Sequence, residues 1–236
     1  MSRAADQLRP LRIERHFPTQ APGSVLISMG ETRVLCTAGF GTDVPKWLLD
    51  AETGEAKRGW VTAEYSMLPG ATPQRKRRGP DGRGTEIQRL IGRALRAAVD
   101  LDSMPGLMVQ CDCDVLCADG GTRTAAITGA YVALADALAA AREKGRLGKD
   151  PVISPVAAIS VGIVDGQAYL DLDYELDVRA DVDMNVVMNG AGKYIEVQGT
   201  GEQGVFDRTQ LDGLLDLAAA GIKELIVAQQ QALGTD

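Results

Sequence analysis

The chain has 236 residues, 45% hydrophobic and 24% charged, with 25 Lys and Arg against 32 Asp and Glu for a net charge of −7. That length suits one large or two small domains with a well-buried core, and the composition excludes global disorder. No uninterrupted apolar run approaches the roughly 18–20 residues of a membrane span, and the first ten residues lack the apolar core of a signal peptide, so the expected location is the cytoplasm.

In chain order, the first third reads as β-hairpins. Ser24–Met29 follows the Pro22-Gly23 turn signal, and Gly30-Glu31 turns the chain into a second strand over Arg33–Ala38. Residues 39–59 read as a polar loop, Trp60–Met67 as a strand, and Pro69 through Gly84 as a second loop. Between 75 and 96 stand Arg75, Lys76, Arg77, Arg78, Arg83, Arg89, Arg93 and Arg96, opposed only by Asp81 and Glu86. On an acidic chain, such an island suggests a local anion site rather than general nucleic-acid stickiness; a solvated Arg-rich surface is the alternative.

A helix is expected from near Thr85, which can cap its first turn, with Ile87, Leu90, Ile91, Leu95 and Ala98 as the apolar stripe. Arg89, Arg93 and Arg96 share another face of it, a row of like charges that wants an anion or a partner's carboxylates unless it is simply solvated. Leu107–Leu116 follows as a strand, with Leu107, Val109, Cys111, Cys113 and Val115 on one face. The four Cys read as reduced thiols, those at 111 and 113 as buried small hydrophobes, because the spacing is not a zinc pattern. The single His, His16, leaves little room for a Ser-His or Cys-His mechanism.

The next helix, with Ile127, Tyr131, Leu134 and Leu138 on its buried face, begins at Gly120-Gly121-Thr122-Arg123-Thr124. Glycines let backbone amides approach a ligand, the first helical amides have no internal acceptor, and Arg123 adds a fork suited to phosphate. The turn therefore reads as an anion site, or as a tight capped turn; it is not a Walker motif.

Residues 142–155, with Gly145, Gly148, Pro151 and Pro155, are the best boundary, dividing the chain into halves at 1–150 and 151–236. Strands are expected at Val156–Val164, Gln167–Leu176, Met184–Met188 and Lys193–Gln198, and a final amphipathic helix from near Asp207. Strands followed by helix in each half give an α+β fold that hints at duplication. On the Gln167–Leu176 pattern, Asp171, Asp173, Glu175 and Asp177 share a strand face, with Asp181 and Asp183 close behind. This acidic run reads as a divalent-cation site, a general acid with a raised pKa, or a solvated sheet face.

Six blocks resemble bacterial ribonuclease PH, in family order: Gly59 to Pro69, Glu86 to Arg93, Asp112 to Leu116, Ala118 to Thr124, Asp183 to Met188 and Ile195 to Thr200. The resemblance runs from Leu8 onwards. It implies two similar halves of mixed β-sheet with packed helices, the ribosomal protein S5 domain 2-like fold. It also implies a phosphorolytic 3′→5′ exoribonuclease that trims tRNA precursors with inorganic phosphate, releases nucleoside diphosphates and adds nucleotides in reverse.

Carried over by position, the phosphate site falls on Arg83, Gly121, Thr122 and Arg123. Asp183 becomes the general acid, and Asp177 the second carboxylate, holding Mg²⁺ together with Asp183 or setting its charge state. Arg75 and Arg78 become RNA contacts, and the assembly a homohexamer, a trimer of dimers. Since phosphate is itself the nucleophile, the scarcity of His fits. The chain departs from the family pattern at Gly70, where an arginine is common, and in the lengths of the segments around 41–58 and 70–84. The competing class is a non-catalytic RNA-binding subunit of an exosome-like ring, which has no need for the acidic pair.

Overall fold

The computed structural model describes residues 3–79 and 81–235. Leu11–Arg15 (β1), Gly23–Met29 (β2), Thr32–Gly41 (β3), Trp60–Met67 (β4) and Met108–Cys117 (β5) form a sheet in the order β1-β2-β3-β5-β4. Its neighbours are antiparallel except β4 and β5, which run parallel. Val156–Val164 (β6), Gln167–Leu170 (β7), Val182–Asn189 (β8) and Tyr194–Gly201 (β9) form a second, antiparallel sheet in the order β7-β6-β8-β9.

Helices Gly82–Arg96 (α1), Thr122–Glu143 (α2) and Arg208–Leu233 (α4) fill the space between the sheets, and a short helix, Tyr174–Arg179 (α3), follows β7. α2 is the shared layer. It packs on β2 and β3 of the first sheet and on β6 of the second, which is why its Ala-rich sequence is buried on nearly every side. Gly129 permits that approach: a Cβ there would lie 2.7 Å from Ile27 Cγ2 and 2.9 Å from Cys36 Sγ. By length and composition α2 could cross a membrane, but that apolar window is mostly buried in the core.

One continuous cluster of buried side chains, from Val25 to Leu225, spans both sheets. α4 closes it. Its buried Gln229 donates Nε2 to Thr128 O and Val156 O, both at 2.9 Å, and Arg15 of β1 donates to Ala232 O at 2.7 Å. A capping box of Asp207 and Gln210 starts this helix.

Several local expectations change. β1 is an additional strand, and β3 runs on to Gly41, so the following loop is shorter and contains a 3₁₀ turn at Lys46–Leu48. Asp81, rather than Thr85, caps α1, accepting from the Gly84 amide; helix formation begins earlier because Gly82 and Gly84 fit the first turn beside that carboxylate. The stripe of Ile87, Leu90, Ile91, Leu95 and Ala98 is buried, and so is the Leu107–Val115 face.

The largest correction lies at 171–177. β7 stops at Leu170, Asp171 turns into the left-handed region (φ 57), and Asp173 caps α3 through the Leu176 amide. The alternation Asp-Leu-Asp-Tyr-Glu-Leu-Asp mimics a strand, but a capping Asp before Tyr-Glu-Leu-Asp is equally a helix start. The four acids therefore share no strand face.

Candidate active site

The first Gly-Gly turn closes on the second half of the chain. Gly120 (φ 71) and Gly121 (φ 64) are both left-handed, and a Cβ on Gly120 would lie 2.6 Å from Leu172 O. This contact sets the N-terminus of α2 against the loop that leads into α3. Gly121 caps α2 without a side chain, leaving the first amides of the helix available to an anion.

Arg123, in the first turn of α2, is aimed by a polar network. Its Nη1 donates to Gln198 Oε1 at 2.9 Å and lies 3.6 Å from Glu86 Oε1. The amide of Gln198 donates in turn to Glu196 Oε1 at 3.0 Å and Glu86 Oε1 at 3.3 Å, and Arg93 pairs with Glu196. α1, α2 and β9 thus converge on one guanidinium.

The carboxylates come from α3 and β8. Asp183, next to Val182 at the start of β8, is largely buried, and burial raises its pKa to about 6, helped by the charge of Asp177; Arg123 pulls against this. Partial desolvation also raises the Asp177 pKa, with Glu202 adding to the rise and Arg83 and Arg123 opposing it. Burial raises the pKa of Tyr65, on β4, whose hydroxyl lies 2.8 Å from Thr122 Oγ1. Arg83 and Arg123 act on Asp177, and Arg123 and Asp177 act on Asp183, so two cations and two carboxylates share one neighbourhood, joined to Thr122 through Tyr65. Such a site can neutralise a phosphate and deliver a proton beside it.

Beside it lies a cavity of about 300 Å³ lined by Tyr65, Lys76, Arg77, Asp81, Arg83 and Thr85, among others. Lys76 and Arg77 form part of its wall, whereas Arg75 and Arg78 do not; of the four, only Lys76 is half-buried and the three arginines are exposed. Of the three-Arg stripe on α1, Arg89 is exposed, Arg93 is paired, and Arg96 stacks 4.4 Å over the Trp60 ring while donating to Val61 O. Two of the three find partners within the chain. His16 sits at an exposed turn, and all four Cys are free thiols. Among the described residues, no three His, Cys, Asp or Glu side chains gather to hold a metal.

Sequence reasoning gave no role to Tyr65, Glu86, Gln198 or Glu202. The alternation Glu196-Val197-Gln198 on a strand was the available signal, since it puts both polar side chains on one face. Nothing in the sequence marks Arg9.

Two mixed or antiparallel sheets around a shared helical layer define an α+β architecture of the ribonuclease PH type. The family model for the 3′ exoribonuclease family, domain 1, matches residues 7–139, and that for domain 2 matches residues 154–221. Proteins named Ribonuclease PH from Corynebacterium efficiens and Corynebacterium glutamicum are 56% and 54% identical, each over 98% of this chain and 95% of the relative. That of a Synechococcus strain is 53% identical over 100% of this chain and 97% of its own. Among solved structures, a chain of the Archaeoglobus fulgidus exosome with RNA bound to the active site superposes with a TM-score of 0.80 at 23% identity, covering 94% of this chain and 89% of that one. An archaeal exosome core chain gives 0.77 at 22% identity, covering 97% and 88%. The chain belongs to the 3′ exoribonuclease family, as a member of its bacterial ribonuclease PH group.

Proposed function

We propose the following division of labour for a phosphorolytic 3′→5′ exoribonuclease acting on tRNA precursors. Inorganic phosphate binds at Arg83, Arg123, the Thr122 hydroxyl and the amides after Gly121, in the half comprising residues 1–150. One of its oxygens attacks the phosphorus of the terminal phosphodiester, and the bond from that phosphorus to the 3′-oxygen of the preceding nucleotide breaks. The products are a nucleoside diphosphate and an RNA one nucleotide shorter with a free 3′-hydroxyl. Because the diphosphate retains a phosphoanhydride, the reaction runs in reverse when diphosphates are abundant.

Asp183, in the half comprising residues 151–236, gives the proton to the departing 3′-oxygen. With a pKa of about 6, roughly one in ten of these groups is protonated at pH 7 before phosphate arrives, and a nearby dianion raises that share. Burial, helped by the charge of Asp177, keeps the pKa of Asp183 high. Mg²⁺ would be held chiefly by Asp177, with Asp183 a ligand only in its ionised form, and would complete its shell with water and phosphate oxygens and neutralise charge on the phosphates.

RNA is held by the basic loop, with Arg75 and Arg78 outside the cavity and Lys76 and Arg77 in its wall. Contacts of this kind go to the phosphate backbone and are blind to sequence. The working assembly is a cytoplasmic homohexamer, a trimer of dimers.

The observation that carries this reading is the placement of Arg83 and Arg123 in the field of the Asp177–Asp183 pair. The test is degradation of a tRNA with a short 3′ extension, with and without inorganic phosphate. Nucleoside diphosphates released only with phosphate are expected; nucleoside monophosphates would mean hydrolysis and overturn the mechanism.

A further inference from the structure

One buried ion pair stands behind the phosphate turn and takes no part in the chemistry described. Arg9 is 6% exposed and Asp171 0%. Arg9 donates Nε to Asp171 Oδ2 at 3.0 Å and Nη2 to Oδ1 at 2.7 Å, and its backbone amide donates to Oδ2 at 2.8 Å. The rest of the guanidinium faces the turn: Nη1 donates to Asp119 O, and Nη2 reaches Gly120 O at 3.5 Å. A Cβ on Gly121 would lie 2.9 Å from Arg9 Nη2, so the guanidinium rests directly against the turn. From β3, Thr32 Oγ1 donates to the same Gly120 carbonyl at 2.7 Å and accepts from the Asp119 amide at 2.9 Å.

On the other side, Asp171 sits at φ 57, a conformation that costs a non-glycine residue energy and persists only when its surroundings hold it. Two residues later Asp173 caps α3, the helix that carries Asp177. The Tyr174 amide on that helix also donates to Asp119 Oδ1 at 3.3 Å. Three segments distant in sequence therefore meet at Arg9: the N-terminal segment, the β5–α2 turn and the β7–α3 turn. A buried pair of this kind is poor at adding net stability, and its best-attested use is to fix a register.

We infer that Arg9 and Asp171 are a positioning pair that fixes the phosphate turn at its working distance from the acid-bearing helix α3. The inference rests on the phosphorolytic reading of the site. Arginine is required because one rigid fork must serve the carboxylate and the turn carbonyls together, which a lysine ammonium cannot do.

The test uses the full chain and two readouts: kinetics with RNA, and the rise in Tm on adding inorganic phosphate without RNA. Arg9→Lys keeps the charge beside Asp171 but loses the fork. It is expected to raise KM for phosphate about tenfold, with RNA affinity unchanged and a smaller phosphate-induced rise in Tm. Thr32→Val releases the Gly120 carbonyl from the opposite side; it is expected to give the same pattern more weakly, and it decides the matter if Arg9→Lys does not fold. Folded variants with wild-type phosphate KM and a wild-type phosphate-induced shift, whatever their stability, would overturn the positioning role. A wild-type protein that phosphate stabilises but that does not phosphorolyse RNA would sink the mechanism instead, and the shift in the variants would then decide the positioning role alone.

Discussion

The Tyr65 hydroxyl lies 2.8 Å from Thr122 Oγ1, and burial pushes its pKa up, so the phenol keeps its proton. A neutral phenol can donate to Thr122 and leave the threonine proton to an anion at the N-terminus of α2. Tyr65→Phe is therefore expected to raise KM for phosphate by about three- to tenfold while costing about 1 kcal/mol of stability. Steady-state kinetics and a denaturation curve separate the two effects. A loss of stability with unchanged phosphate KM would reduce the hydroxyl to a packing role.

Asp183 gives a prediction with opposite signs for activity and stability. Its folded pKa of about 6 exceeds that of an ordinary carboxyl, so the native state binds the proton more tightly than the unfolded chain. The stability that protonation contributes is fully present below about pH 4 and is lost as pH rises through 6. Asp183→Asn removes the buried charge. It should stabilise the fold at pH 8 by up to about 3 kcal/mol, have little effect at pH 4, and lower kcat by about 10²–10⁴-fold with RNA affinity retained. Equal Tm differences at both pH values would show that the carboxylate is not destabilised.

Gln198 aims Arg123 with its carbonyl while its amide holds two carboxylates. Gln198→Glu places a negative charge against the guanidinium, where it competes with phosphate and repels Glu86 and Glu196. Gln198→Leu only removes the aim. Both should raise KM for phosphate, the Glu variant by more, on the order of a further tenfold. A Leu variant weaker toward phosphate than the Glu variant would show that charge does not govern the site.

In the basic loop, Lys76 and Arg77 line the cavity and Arg75 and Arg78 do not. Arg75→Ala and Arg78→Ala should weaken RNA binding without altering phosphate KM, each lowering the slope of log affinity against log salt by about 1. Lys76→Ala and Arg77→Ala should affect both, because these side chains share a cavity wall with Arg83. Binding titrations at several salt concentrations, alongside phosphate kinetics, distinguish the two groups.

Period-two and helical patterns were enough to locate β4, β5 and the buried stripe of α1, because each has one face committed to the core, and β6 was legible as an apolar run buried along its whole length. They failed at 171–177, where local spacing suited both a strand and a capped helix. There Asp171 leaves the strand and pairs with Arg9, 162 residues away in sequence. Arg83, Arg123, Asp177 and Asp183 were legible as chemistry-bearing residue types in short motifs. The side chains that orient them were not: Tyr65, Gln198 and Arg9 act through pairings between β4 and α2, β9 and α2, and the N-terminal segment and two turns, and no window of sequence contains both partners. The partners of the Arg89/Arg93/Arg96 row were not legible for the same reason, since Glu196, which pairs with Arg93, and Trp60, under Arg96, lie on other elements.

The bond from Arg15 to Ala232 joins residues 217 positions apart, and Gln229 reaches back to α2 and β6. During synthesis, then, the first sheet and α2 leave the ribosome long before the helix that completes their packing. Until α4 emerges, β6 and the far side of α2 present bare apolar surface to the cell, the condition that invites chaperones and aggregation. A product cut short before residue 208 lacks α4 altogether, so a premature stop late in the reading frame should leave an insoluble fragment rather than a working first half.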